Sequence, residues 1–133
     1  MNTAEATRVI FEQVWNRGDF DNAGKVLAGQ FRLHVGGESW MTYVNELRVI
    51  VDRWHPAFEG FHFQIHTLVA SDDTTAMHAT LRGTQRGVWL GIEPTGAVIA
   101  VEHMFFLRFE DDKAVEVWEL LDRGELLRQL AGG

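Results

Sequence analysis

The spacing of apolar positions changes once along the chain, near residue 60: three- and four-residue steps precede it and two-residue steps follow. In the first part, Val9, Ile10, Phe11, Val14 and Trp15 form a helical stripe, which predicts a helix from Asn2 to about Trp15. Asn2 with Glu5 fits a capping box, and Asn16-Arg-Gly-Asp19 stops the helix because Gly18 can take the left-handed conformation. A short second helix is expected from Phe20 to about Ala28, with Val26 and Leu27 inward and Gly29 at its end. Phe31-Arg-Leu-His-Val35 alternates as a short strand that Gly36-Gly37 breaks. Ser39 is a good N-cap for a third helix whose apolar positions are Trp40, Tyr43, Val44, Leu47, Ile50, Val51 and Trp54. His55-Pro56 closes it, since the residue before proline avoids helical dihedrals.

The second part reads as four strands, Phe61 to Ala70, Thr75 to about Val88, Val98 to Phe109 and Ala114 to Asp122. Ser71-Asp-Asp-Thr74 and Glu110-Asp-Asp-Lys113 supply turns, and Trp89 to Gly96 an ordered loop with one proline and two glycines. Arg123 to Leu130 predicts a closing helix that presents Leu126, Leu127 and Leu130. Helices followed by a meander of strands predict an α+β domain spanning residues 1–133. Its curved antiparallel sheet wraps on the N-terminal helices and forms a cone with an internal pocket.

Composition narrows the function classes. The 133-residue chain carries a formal charge of −7 and no Lys/Arg cluster, which argues against a nucleic-acid partner. It has no cysteine, so disulfides, a thiolate nucleophile and a thiolate metal site are excluded. No apolar run approaches the ~20 residues of a membrane span. No basic-then-apolar leader opens the sequence, so the expectation is a cytoplasmic protein. His62 and His66 share a strand face but lie ~13 Å apart, too far to chelate one ion, and no other pair has ligand spacing. No metal is expected.

Four motifs, in order and correctly spaced, resemble the SnoaL-like polyketide cyclases. Trp15-Asn-Arg-Gly-Asp19 is similar to the signature that closes the first helix of that family, and Gly91-Ile-Glu-Pro-Thr-Gly96 to its loop. Phe106-Leu-Arg-Phe109 with Lys113-Ala-Val-Glu-Val-Trp118 and then Asp122 resembles its C-terminal hairpin, and Leu127-Arg-Gln-Leu130 its end. Gln85 and Leu120 stand where many members have histidine. The resemblance implies a nuclear-transport-factor-like cone, a homodimer through the open sheet face, and cofactor-free ring closure by intramolecular aldol condensation. It also places Asp122 at the position of the acid/base aspartate.

Asp122 and His103 are the candidate catalytic residues. Asp122, lined by Trp118, Phe105 and Leu120, would be poorly solvated and suited to proton transfer. It also precedes a helix and with Glu125 fits a capping box, a purely structural role. His103 sits on the strand expected to pair with the one bearing Asp122, where a neutral imidazole polarises a carbonyl or exchanges protons. Strand alternation puts Glu102 on the opposite face. His34 is a candidate substrate-binding residue or a turn histidine. Trp15, Trp40, Trp54, Trp118 and Phe105 are core residues or substrate-binding flat walls for an apolar or aromatic small molecule. His78, Thr80 and Arg82 share a face that either lines a polar wall or, the favoured reading, is directed to solvent or a dimer partner. The expected activity is cyclisation of a polyketide-like or ester substrate. The alternatives are an isomerase, dehydratase or epoxide hydrolase using the same carboxylate, or a non-catalytic small-molecule binding domain.

Overall fold

The computed structural model describes residues 1–132. Helix α1, Thr3–Arg8, begins where the cap signal predicts: the Glu5 amide donates to Asn2 Oδ1 at 2.8 Å, and Asn2 Nδ2 donates to Glu5 Oε1 at 3.1 Å. It runs directly into a π-helical segment, Val9–Trp15, that turns Ile10, Phe11 and Val14 into the core. Such wide turns are rare and concentrate at functional sites. Gly18 takes φ +65° and ends the helix as expected.

The Asn16 side chain explains much of the Trp15–Asp19 motif. Its Nδ2 donates to the Phe63 carbonyl at 3.0 Å and its Oδ1 accepts from the Phe63 amide at 2.7 Å. One asparagine thus satisfies both backbone groups of a strand residue and fixes the helix end against the sheet. His55 Nε2 meets the Trp15 carbonyl at 2.6 Å from the third helix.

Two helix expectations are corrected. The second helix, α2, covers only Ala23–Val26; strand β1 follows at once, Leu27–Val35. Leu27 pairs with Ala114 on the last strand, and that tertiary pairing outweighs the weak helix propensity of a segment containing Gly24. Ser39 caps no helix. It lies in strand β2, Glu38–Thr42, which folds back on β1 with Val35 opposite Glu38 and Phe31 opposite Thr42. Gly36-Gly37, with Gly36 at φ +60°, makes a two-residue hairpin turn rather than a break before a helix. Helix α3 is Val44–Ala57, with Tyr43 at its N-cap and Pro56 inside its last turn.

Strands β3 (Phe58–Ala70), β4 (Thr74–Gln85), β5 (Val98–Glu110) and β6 (Lys113–Leu121) form the predicted meander, and α4 (Arg123–Leu130) closes the chain. The sheet order is β2-β1-β6-β5-β4-β3, with β2 and β3 as free edges. Every neighbouring pair is antiparallel except β1–β6, which is parallel. The β5–β6 turn places Asp111 and Asp112 at φ +50° and +65°, as a tight hairpin matched to strand twist requires. Register shifts interrupt β3–β4, β5–β6 and β1–β6. Such bulges bend strands and increase local twist, and here they accompany a curved sheet that does not close.

The inner face carries Met77, Ala79 and Leu81 from β4, Ile99, Val101, Phe105 and Leu107 from β5, and Val117 from β6, all buried. The helices cover it with Ile10, Phe11, Val14, Leu47, Val51, Leu126 and Leu130. Gly83 is required by a close approach, because a Cβ there would sit 3.0 Å from Phe58 Cβ on the adjacent strand. No helix among the described residues is long and apolar enough to cross a membrane.

Candidate active site

A cavity of about 210 Å³ lies between the inner sheet face and the helices. The π-helical segment supplies Ile10, Phe11 and Trp15; α3 supplies Leu47, Ile50 and Trp54; β2 supplies Trp40. Strands β1, β5 and β6 contribute aliphatic and aromatic side chains and one carboxylate, Glu119. Glu119 is the single charged side chain among the described residues that line the cavity. Its side chain is 17% exposed.

Behind Glu119 stands His103, on β5, whose Nε2 is 3.5 Å from Glu119 Oε1. His103 is 3% exposed, stacked on Phe105 at 4.2 Å between centroids and edge-on to Phe63 at 5.2 Å. Neither ring nitrogen has a hydrogen-bond partner. A buried imidazole without a hydrogen bond costs stability, so its position 3.5 Å from a largely buried carboxylate is a functional signal. Glu102, next to it, points outward to His78 at 3.2 Å, as alternation predicts.

Asp122 lies elsewhere. It is exposed, its Oδ1 accepts from the Glu125 amide at 3.1 Å, and it caps α4. It does not line the cavity. The cause is a bulge at Val115. Across β5–β6, Arg108 faces Glu116 but Phe109 faces Ala114, so Val115 is left over and the alternation changes phase. Uninterrupted alternation from buried Ala114 would carry Glu116, Trp118, Leu120 and Asp122 inward. After the bulge Val117 and Glu119 face the cavity, and Trp118 and Leu120 face out. Glu119 escaped the sequence reading for that reason. The available signal was Val117, an apolar residue at the same parity as Glu119.

His34 and Trp118 also lie outside the cavity, on the outer sheet face, stacked on each other at 4.7 Å and 4°. His34 Nδ1 contacts Ser39 Oγ and its Nε2 contacts Glu116 Oε2, both at 2.6 Å. Arg108 Nε donates to Glu116 at 3.1 Å. The His34 hydrogen bond, followed by that of Arg108, holds the Glu116 carboxyl below its ordinary range. Of the other expected binding residues, Trp15, Trp40, Trp54 and Phe105 do line the cavity. Trp40 does so from a strand rather than from a helix.

Gln85 is fully buried and faces neither cavity nor solvent. Its Nε2 donates to the Gly87 and Ile92 carbonyls at 3.2 and 3.0 Å and pins the loop between β4 and β5. That loop brings Trp89 against Trp54, 3.9 Å between centroids, and so backs the cavity wall. Arg82 is on the outer face, donating to Gln64 at 2.7 Å. Among the described residues no group of three or more His, Asp or Glu is placed to hold a metal ion.

A family model, SnoaL-like polyketide cyclase, matches residues 5–130. The chain belongs to the SnoaL-like polyketide cyclase family. Solved structures share the fold at low identity. IdmH of Streptomyces antibioticus, a proposed polyketide cyclase, superposes with a TM-score of 0.84 at 21% identity, covering 98% of this chain and 99% of that one. A proposed SnoaL-like polyketide cyclase from Jannaschia sp. CCS1 gives 0.83 at 17%, covering 98% and 92%. AclR of Streptomyces galilaeus, a proposed hydroxylase, gives 0.76 at 23%, covering 90% and 75%. Curated proteins include no match. The fold is thus shared by proteins named for different reactions.

Proposed function

We propose that the protein catalyses a cofactor-independent ring closure of a small polycarbonyl or ester substrate, with Glu119 as the proton acceptor and donor. The carrying observation is that Glu119 is the one charged group in an otherwise apolar cavity wall. In an aldol-type closure its carboxylate takes a proton from a carbon flanked by carbonyls. The resulting enolate carbon attacks a second carbonyl of the same molecule. The new alkoxide is then protonated by the Glu119 carboxylic acid, which restores the carboxylate. No external electron donor or acceptor is involved. The apolar walls fold the substrate into a near-attack conformer, the largest advantage available to an intramolecular reaction. His103 does not line the cavity; at 3.5 Å it acts through Glu119, as a positioning residue that orients the carboxylate.

Asp122 serves α4 in this reading, because its carboxylate is committed to the Glu125 amide and exposed to water. Hydrolysis is less well supported. It needs a water held by at least two polar groups, whereas Arg82 faces outward and Gln85 is bound to the loop. The purely binding alternative gains from the capped Asp122 but gives no role to Glu119 backed by His103. Isomerisation by proton transfer uses the same carboxylate and follows from the same wall. The functional unit in our reading is a homodimer joined through the outer sheet face.

Turnover of a genuine substrate by Glu119→Gln and Asp122→Asn tests the assignment. Glu119→Gln is expected to lose at least about 100-fold in kcat, and Asp122→Asn to stay within a few-fold. A Glu119→Gln enzyme as fast as the parent would sink the mechanism.

A further inference from the structure

The same cavity carries information about what it admits, and the inference rests on Glu119 being its polar feature. We infer that the substrate is an uncharged, one- or two-ring aromatic or alicyclic carbonyl compound or phenol that presents one hydrogen-bond donor or acidic C–H edge to Glu119. Size is the first constraint. An apolar cavity of roughly 150 Å³ holds one benzene, while pockets for drug-sized ligands begin at roughly 300 Å³. At about 210 Å³ this cavity takes a bicyclic skeleton and is too small for a fused three- or four-ring one.

Charge is the second constraint. Among the described residues, the wall contains no Lys or Arg to pair with a carboxylate, sulfate or phosphate. An anion placed there would lose its hydration and meet the Glu119 carboxylate among lining residues that are otherwise apolar. A carboxylate accepts hydrogen bonds and donates none, so the complementary ligand edge is a donor: an enol, a phenol or an acidic C–H. The remainder of the ligand meets Phe11, Trp15, Trp40, Trp54 and Phe105, flat surfaces that stack on rings.

The test is equilibrium dialysis of the full chain near neutral pH with three probes: β-naphthol, which is neutral, bicyclic and a donor; β-naphthoate, its anionic counterpart; and hydroxypyrene, neutral but four-ringed. β-Naphthol is expected to bind saturably, with β-naphthoate at least about thirtyfold weaker because of the like charge. Hydroxypyrene is expected to be at least about tenfold weaker than β-naphthol because it exceeds the cavity. Glu119→Gln removes the charge at constant size. It should bring β-naphthoate to within a few-fold of β-naphthol and leave hydroxypyrene excluded. Comparable binding of β-naphthoate and β-naphthol by the parent overturns the inference. So does tighter binding of hydroxypyrene, or the absence of saturable binding by all three. If the ranking fails while Glu119→Gln still abolishes turnover, the proton-transfer reading stands without this one. If the ranking holds while Glu119→Gln turns over normally, the cavity selects as described and the catalytic reading falls.

Discussion

A histidine buried between Phe63 and Phe105, with neither nitrogen in a hydrogen bond and Nε2 3.5 Å from Glu119, is an expensive residue to keep. Two outcomes separate a functional from a structural reason for it. His103→Phe replaces the ring by one of similar shape and removes both unsatisfied nitrogens. It is expected to leave the unfolding free energy unchanged or raise it by up to about 1 kcal/mol, while lowering kcat through a misplaced Glu119. His103→Ala, by contrast, empties a packed site and should cost about 2–4 kcal/mol. Denaturant unfolding of both variants, with turnover measured in parallel, checks the pair. A His103→Phe protein that is destabilised by several kcal/mol yet fully active would mean that the imidazole serves packing only. The burial of His103 is legible in the sequence because uninterrupted alternation on β5 sets it on the sheet face away from Glu102, although it does not line the cavity. The inward position of Glu119 is harder to read, because the bulge at Val115 is a pairing irregularity signalled in the sequence only by the parity of Val117.

Among the elements, β4, β5 and β6 and the body of α3 follow from periodicity, which reports burial on one face directly. The failures share a cause. Leu27, Ala28 and Trp40 were assigned to helices from local spacing, but they lie in strands whose partners are distant in sequence or across a glycine turn. The helix cap at α4 is legible in the sequence, with Asp122 accepting from the Glu125 amide. Removing the Asp122 oxygen, as in Asp122→Ala, should cost about 1 kcal/mol. The first turn of α4 also has a pH signature. Glu125 is paired with Arg128 and accepts from Gln129 at 3.0 Å, and these bonds, Arg128 first, hold its carboxyl down at about 2. An unfolded chain returns it to the usual ~4.3 and so binds more protons between the two values. The stabilisation it contributes is therefore complete above that window and is lost as pH falls toward 2. Thermal unfolding of the parent and Glu125→Gln should give a midpoint difference that is constant near neutrality and shrinks below about pH 4. A difference independent of pH would show that the pairing does not stabilise the fold.

For the whole molecule the unresolved surface is the outer side of the sheet. Val69, Met104, Phe106 and Leu120 are 59%, 47%, 47% and 64% exposed there, on β3, β5 and β6, with Ala76 of β4 between Val69 and Phe106. Met104 lies opposite Leu120, and Phe106 opposite both Trp118 and Ala76, so the side chains adjoin rather than scatter. Contiguous apolar surface of this kind is uncommon on a monomer, which supports the proposed homodimer. Its flanks are polar and paired, His34 with Glu116 on one side and His78 with Glu102 on the other, as a rim around an apolar centre would be. A two-fold arrangement sets the patch against its own copy without further complementarity. Sedimentation equilibrium is expected to give twice the 15.1 kDa chain mass for the parent. Leu120→Glu and Phe106→Glu each bring carboxylates into the centre of that contact and should return the single-chain mass, with helical and sheet content unchanged by circular dichroism. Two points then follow. Because Trp118 and Leu120 share β6 with Glu119, a dimer would press on the strand that carries the carboxylate, and the monomeric variants should turn over more slowly than the parent. A parent that sediments as a single chain at micromolar concentration would end the dimer reading while leaving the cavity chemistry as it stands.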